Sequence, residues 1–176
     1  SRSASCQLDL SSIAKGFAVD TVAENLEKMG ITNYLFEIGG EFFGNGCKPN
    51  GQPWWVELDP LKNSKLLPTK TLVATCGVAI ATSGTSVQST NINGKTHHHL
   101  IDPYTGCSTS HSLVAVSVIA QTCINADAWA TALFILGNTK GLQIATEQGI
   151  AASSLTANGP SITETLSPAY QTLASE

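Results

Sequence analysis

The chain has 176 residues, 42% of them apolar, and a formal net charge of −4 at neutral pH. A chain of this length buries about two thirds of its unfolded surface, so we expect one globular domain over residues 1–176. No apolar run approaches the ~18 residues of a membrane-spanning helix, and the nine basic residues form no stripe, which argues against nucleic acid as a partner.

The first predicted element is a helix from about Ser12 to Met29. Apolar residues recur at i,i+4 along "DLSSIAKGFAVDTVAENLEKMG". Asp9, Ser11 and Ser12 are suited to its start, and Gly30 is suited to its end.

The middle of the chain is predicted to be mostly strand. The segments "NYLFEIGGEFFGNG", "PWWVELDP", "TLVATCGVAIATSG" and "SLVAVSVIA" are rich in β-branched and aromatic residues. The polar stretch from Lys62 to Lys70 is typical of a loop, and "HHHLIDP" is predicted to be a short strand that ends at Pro103.

A second helix is predicted over "NADAWATALFILGN", with Asn125 as its cap and Gly137 at its end. A short helix near Thr139 to Gln148, a strand "IAASSLTA" and a polar end follow. The order β, α, β, β, β, β, α, α, β predicts an α+β fold in which helices pack on a mostly antiparallel sheet.

The start of the first helix is a candidate phosphate-binding site. Ser11 and Ser12 open the helix with unpaired backbone N–H groups, Lys15 follows within a turn, and Gly16 lets another backbone approach. An ordinary amphipathic helix with a serine cap and a surface lysine would show the same residues. Taken alone, the segment leaves both interpretations open.

Asp127 and Thr131 form a candidate metal-binding pair in the second helix. They are i,i+4, so both side chains leave from one helical face. A carboxylate with a hydroxyl suits Mg²⁺, which takes further ligands from water and from substrate phosphates. The alternative is structural, because an acidic residue in a first turn favours the helix dipole and a threonine can bond the i−4 carbonyl.

Three adjacent histidines, His97, His98 and His99, invite a second metal hypothesis. In an extended strand His97 and His99 face one side and His98 the other, so the three cannot converge on one ion. Zn²⁺ would need donors from elsewhere, of which His111 is the natural one. A histidine near this strand end is better suited to accept a proton near its own pKa.

Five blocks of the sequence resemble, in order, the motifs of one family. "DLSSIAKGFAVD" resembles the D-L-G-x-I-A-K-G-Y-A-V-D signature of the ApbE-like flavin transferases, also called FAD:protein FMN transferases. "EIGGEFFGNG", "IATSG", "HHLIDPYTG" and "ADAWATALFILG" resemble the family's N-x-G-G-D/E-x-x-x-x-G, A-T-S-G, H-I-I-D-P-x-T-G and A-D-A-L-A-T-A-L-F-V-x-G blocks. The match runs from Asp9 to about Gly137 and implies the family's T-fold-like α+β domain, here without the family's N-terminal part.

The resemblance implies a reaction. In this family a Mg²⁺-bound FAD is cut at its pyrophosphate, the FMN half is transferred to a threonine or serine hydroxyl of an acceptor flavoprotein, and AMP leaves. By position, Asp127 and Thr131 match the side-chain Mg²⁺ ligands, Ser12 matches the position of a third protein oxygen, and His99 matches the histidine that activates the acceptor hydroxyl. The positions that match FAD-contacting residues are Asp9, Lys15, Leu100 and Ile101.

The chain also departs from the family pattern. Ser11 stands where the signature has glycine, which predicts less backbone freedom at the phosphate site. Family members carry more than a hundred residues upstream, so we expect a segment absent here to complete the site. The resemblance further implies the periplasmic side of a bacterial inner membrane, often as a lipoprotein. The same metal and phosphate groups would also serve an FAD pyrophosphatase, and Ser11 leaves a non-catalytic flavin-binding module as a third hypothesis.

Overall fold

The computed structural model describes residues 8–58, 71–85, 89–92 and 95–174. Within these residues the chain forms four helices, α1 (Ser11–Lys28), α2 (Cys123–Leu136), α3 (Asn138–Glu147) and α4 (Pro168–Ala174). The same residues form twelve strands: β1 (Tyr34–Ile38), β2 (Glu41–Asn45), β3 (Trp54–Leu58), β4 (Thr71–Thr75), β5 (Val78–Gly84), β6 (Ser89–Ile92), β7 (Lys95–His98), β8 (Ile101–Asp102), β9 (Cys107–Ser108), β10 (Leu113–Ala120), β11 (Ala151–Asn158) and β12 (Ser161–Leu166).

Six of the strands form one antiparallel sheet in the order β1-β2-β5-β10-β11-β12. Helix α2 packs on the central strands β5 and β10, α1 packs on α2 and α3 packs on α2 and β11. One hydrophobic cluster joins these layers through buried residues such as Val19 of α1, Ala81 of β5, Val118 of β10 and Ala130 of α2. The predicted α+β architecture with an antiparallel sheet is confirmed.

Two segments predicted to be strand each contain two strands. "NYLFEIGGEFFGNG" turns at Gly39 and Gly40, whose φ angles of 60° and 96° let β1 fold back on β2. "TLVATCGVAIATSG" divides into β4 and β5 on either side of Cys76 and Gly77. These two strands belong to different sheets: β4 pairs with β3, whereas β5 joins the central sheet.

The predicted helix ends are largely confirmed. Helix α1 is followed by Gly30 and α2 by Gly137, both at φ 78°. The predicted cap at Asn125 is wrong: α2 begins at Cys123, since the Asp20 carboxylate of α1 accepts the N–H groups of its first two residues. None of the helices in the described ranges combines the length and the apolar character needed to cross a membrane.

Several other expectations need correction or lie outside these ranges. The polar end of the chain, to which no element was assigned, forms β12 and α4. The predicted strand "HHHLIDP" is interrupted, because β7 ends at His98 and β8 begins at Ile101. The strand expected before α1 is absent at residues 8–10, and its remainder and the predicted loop at residues 62–70 lie outside the described residues.

Candidate active site

Helices α1 and α2 meet with their backbones in contact at Gly16. Gly16 is buried, and a Cβ atom added to it would lie 2.4 Å from the carbonyl oxygen of Cys123. Because that neighbour is backbone rather than a movable side chain, a larger residue would have to displace a helix. The glycine therefore sets how closely the start of α2 approaches the second turn of α1.

Each of these two helices supplies a carboxylate to the backbone of the other. The Asp20 carboxylate accepts hydrogen bonds from the N–H groups of Cys123 at 2.7 Å and Ile124 at 2.9 Å. In return, the Gly16 N–H donates to Asp127 Oδ2 at 3.0 Å. These directional bonds fix the orientation of Asp127, because both the helix that carries it and one of its oxygens are held by α1.

Asp127 keeps one oxygen for other partners. The residue is 1% exposed. Oδ1 makes no hydrogen bond within the described part of the chain, and the Lys15 ammonium lies 3.8 Å from it. Burial raises the pKa of the Asp127 carboxyl, while the Gly16 N–H and Lys15 oppose that rise. A buried carboxylate with a free oxygen is suited to a cation.

Thr131 lies one helical turn beyond Asp127 and contacts the sheet. Its Oγ1 is 2.9 Å from Ser83 Oγ of β5, so the strand fixes the position of this hydroxyl. Ser12, the third predicted ligand, is half-buried in the first turn of α1. Within the described residues no group of three or more His, Cys, Asp or Glu is placed to hold a metal ion. A cation at Asp127 would therefore be completed by hydroxyl, backbone, water or phosphate oxygens, the hard donors that Mg²⁺ takes.

Lys15 lies between two carboxylates. Its ammonium donates a hydrogen bond to Glu41 Oε1 at the start of β2 and approaches Asp127 from the other side. Glu41 is 1% exposed. Burial raises its pKa to about 7, against the opposing effect of Lys15. Two acids thus flank one ammonium, and a cation bound between them would favour their ionised forms.

The start of α1 differs from the expectation based on Ser11. Ser11 is the first helical residue and donates both its hydroxyl and, at 2.8 Å, its backbone N–H to Asp9 Oδ1. The hydroxyl bond is the main reason why the pKa of Asp9 is lowered. A helical serine needs no glycine-like backbone freedom, so Ser11 fits the start of α1 without a glycine-like conformation. Asp9 itself is exposed beside the helix start, where a ligand can reach it.

The histidine run divides as the alternation of a strand predicts. His97 and His99 are exposed, whereas His98 turns inward. Nε2 of His98 lies 3.0 Å from the Thr109 carbonyl oxygen, and its ring packs edge-on against Phe134 of α2 at 5.9 Å. His98 is therefore a packing residue.

The residues after His98 anchor the segment against α2. Leu100 is 6% exposed and belongs to the same hydrophobic cluster as Ala126 and Ala130. Ile101 is 46% exposed and is the better placed of the two for a side-chain contact with a ligand. His99 thus lies between two inward-facing neighbours, at a fixed place on the surface.

Sequence reasoning missed three residues that shape the site. Glu41, Ser83 and Asp20 all lie inside recognised blocks, in "EIGGEFFGNG", "IATSG" and "DLSSIAKGFAVD". An acidic residue directly after Gly-Gly and a serine beside a threonine were visible signals. Which of them touch Lys15, Thr131 or α2 depends on contacts between distant segments, up to 104 residues apart for Asp20 and Ile124.

Comparison with known proteins identifies the family of the chain. The model of the ApbE family matches residues 1–154. The chain belongs to the ApbE family. A curated relative, the FAD:protein FMN transferase of Escherichia coli (strain K12), is 36% identical over 164 residues, which cover 93% of this chain and 46% of the relative.

Solved structures of flavin transferases match the fold. The apo form of the Pseudomonas stutzeri flavinyl transferase ApbE superposes with a TM-score of 0.84 at 36% identity, over 95% of this chain and 51% of that one. The flavin transferase ApbE from Vibrio cholerae gives a TM-score of 0.80 at 32% identity, over 94% of this chain and 52% of that one. The chain spans about half the length of the relatives it matches.

Proposed function

We propose that the protein transfers the FMN moiety of FAD to a threonine or serine hydroxyl of an acceptor flavoprotein in a Mg²⁺-dependent reaction that releases AMP. The observation that carries the proposal is Asp127, a buried carboxylate held through one oxygen by α1 and left with the other oxygen beside Lys15. The names of the relatives, FAD:protein FMN transferases, support the substrate class.

Asp127, Thr131 and Ser12 are the residues that would hold Mg²⁺. The proposal is supported by their hard oxygen donors and by the two acidic side chains that flank the ammonium of Lys15. When bound, the ion neutralises charge on the diphosphate oxygens and so favours attack at phosphorus.

Lys15 and His99 have separate tasks in this reaction. Lys15 presents its ammonium, with a side chain 41% exposed, to the diphosphate of FAD. His99 accepts the proton of the acceptor hydroxyl while that oxygen bonds to the phosphorus of the FMN half. The bond from this phosphorus to the AMP oxygen breaks, and AMP leaves. Asp9, Ile101 and the backbone at Leu100 contact the nucleotide.

A direct test is to incubate the complete natural protein with FAD, Mg²⁺ and a purified flavoprotein that bears the target hydroxyl. We expect covalent flavin fluorescence on the acceptor in a denaturing gel and no labelling when a chelator removes the metal. Free FMN and AMP formed equally well without an acceptor would instead identify a pyrophosphatase. FAD that neither reacts nor raises the melting temperature would identify a non-catalytic module or a protein that does not bind flavin.

The proposal includes a place of action, the periplasmic side of a bacterial inner membrane with a lipid anchor, which rests on family resemblance alone. Fractionation of cells that express the complete natural protein tests it. Recovery of the protein with the cytoplasmic fraction would contradict it.

A further inference from the structure

Glu41 is a buried acid to which the proposed reaction gives no task. It begins β2 directly after the Gly39–Gly40 turn and is 1% exposed. Oε1 accepts a hydrogen bond from the Lys15 ammonium, while Oε2 is buried without a hydrogen-bond partner among the described residues. Burying a carboxylate is costly unless it is paired, so the contact with Lys15 is what stabilises Glu41 here.

The β1–β2 turn also guides the stem of Lys15. A Cβ atom added to Gly39 would lie 3.3 Å from Cδ of Lys15, and φ at Gly39 is +60°. The lysine stem therefore passes close over a glycine, with Glu41 at the end of its path. Together Gly39 and Glu41 hold the lysine on the β2 side of the site.

With Lys15 held on the β2 side, one oxygen of Asp127 stays open. Oδ2 is taken by the Gly16 N–H at 3.0 Å, whereas Oδ1 is 3.8 Å from the Lys15 ammonium. A direct bond between an ammonium and a carboxylate is about 2.7–2.9 Å long, so Lys15 is near Asp127 without bonding it. A lysine released from Glu41 would be free to close this gap and occupy Oδ1.

We propose that Glu41 is a positioning residue that holds the Lys15 ammonium off Asp127 and so keeps Asp127 Oδ1 open to a divalent cation. The inference rests on the proposed function in that the cation is the Mg²⁺ of that reaction. A merely structural pair would stabilise the fold without any specific effect on cation binding.

The test is a double-mutant cycle read out by metal binding rather than by turnover. The metal-free complete protein is titrated with Mg²⁺ alone in a calorimeter, as wild type, Glu41→Gln, Lys15→Met and the double variant. We expect Glu41→Gln to weaken Mg²⁺ binding about tenfold in the wild-type background and less than about twofold beside Lys15→Met, because the effect passes through the lysine. Equal weakening in both backgrounds would show that only the charge of Glu41 matters and would overturn the proposal, as would wild-type protein that binds no Mg²⁺.

Two further variants keep the result interpretable. Glu41→Asp keeps the charge but places it farther from Lys15, so we expect weaker Mg²⁺ binding here as well. An unchanged affinity would contradict the proposal. This variant also provides the test if Glu41→Gln does not fold. Glu24→Gln is the matched control, because it neutralises the acid of an exposed ion pair with Lys28 on the same helix, at 3.7 Å. Its Mg²⁺ affinity should equal that of wild type. Mg²⁺ binding without flavin on the acceptor would refute the proposed function while leaving this inference standing.

Discussion

The two halves of helix α2 are held in different ways. The first half is fixed by directional bonds from α1, through Asp20 to the backbone of Cys123 and through Gly16 to Asp127. The second half has one such bond, between Thr131 and Ser83 of β5 at 2.9 Å, and is otherwise held by ring packing, with Phe134 fully buried between His98 at 5.9 Å and His111 at 5.1 Å. Directional bonds fix a side chain to within a fraction of an ångström, whereas packing mainly excludes water and sets stability.

The comparison teaches where precise chemistry is to be expected. The carboxylate proposed to hold a metal lies in the half of α2 that is fixed by bonds, and His98 packs beside the half that is fixed by rings. Changes in the first half should therefore alter activity most, and changes around Phe134 should alter stability most.

The largest expected effect comes from Asp127. Asp127→Ala should lower FMN transfer by more than about 100-fold, because it removes the charged ligand and several kcal/mol of transition-state stabilisation. Asp127→Asn should lose as much transfer while keeping an oxygen for the Gly16 N–H, so its melting temperature should stay closer to wild type. Steady-state transfer rates and thermal unfolding of both variants check this. Full activity of Asp127→Asn would mean that charge at this position is not needed.

Substitutions of His98 and His99, beside the second half of α2, should separate an effect on stability from an effect on activity. His99→Ala should lower transfer by about 100-fold, as expected when a general base is lost, with FAD affinity and stability unchanged. His98→Ala should lower the free energy of unfolding by about 1–3 kcal/mol, because it removes a part-buried hydrogen bond and a ring contact, and should change the transfer rate little. Denaturant unfolding and transfer assays of the pair are decisive. The opposite pattern would place the base at His98.

Much of the fold could be predicted from the sequence, whereas several contacts of the candidate site could not, for a physical reason. The helices, the strands and the opposite facing of His98 from His97 and His99 follow from local periodicity, which is carried by neighbouring residues, and the antiparallel sheet follows from the order of the elements. Asn125 was the wrong cap because the actual one, Asp20, comes from another helix. The burial of Glu41 was missed for the same reason: a turn and a distant lysine create its environment, and neither is visible from the residues beside it in the sequence.

A larger side chain at Gly16 should push the two helix backbones apart and disrupt the first half of α2. Gly16→Val adds atoms where even a Cβ would lie 2.4 Å from the Cys123 carbonyl oxygen, so α1 and α2 must separate. We expect a loss of about 3 kcal/mol in unfolding free energy together with impaired transfer. Ala14→Ser, on the exposed side of the same helix, is the control and should behave as wild type. A Gly16→Val variant with normal stability would show that the helices do not meet as described.

The pH dependence of stability gives a smaller effect at Glu41. Its pKa in the folded chain is raised from its ordinary value of 4.5 to about 7, mainly by burial. Between these values the folded state binds more protons than the unfolded state, so the contribution of Glu41 is fully present below the lower value and is lost as pH rises. Relative to Glu41→Gln, metal-free wild type should lose about 2 kcal/mol between pH 5 and pH 7. Chemical denaturation at both pH values measures it, and parallel curves for the two proteins would contradict the shift.

The smallest expected effect comes from Asp20. It shows whether the bonds from Asp20 to the start of α2 help to position Asp127, or whether the bond from Gly16 to Asp127 does so alone. Asp20→Ala removes the acceptor for the Cys123 and Ile124 N–H groups but leaves the bond between Gly16 and Asp127. Loss of a helix cap costs about 1 kcal/mol, so the melting temperature should fall by a few degrees. Because α2 can then shift at its start, Mg²⁺ affinity should also weaken, whereas Thr21→Ala, next along α1 and exposed, should leave it unchanged. If Asp20→Ala lowered stability but not Mg²⁺ affinity, the Gly16 bond alone would be sufficient to position Asp127.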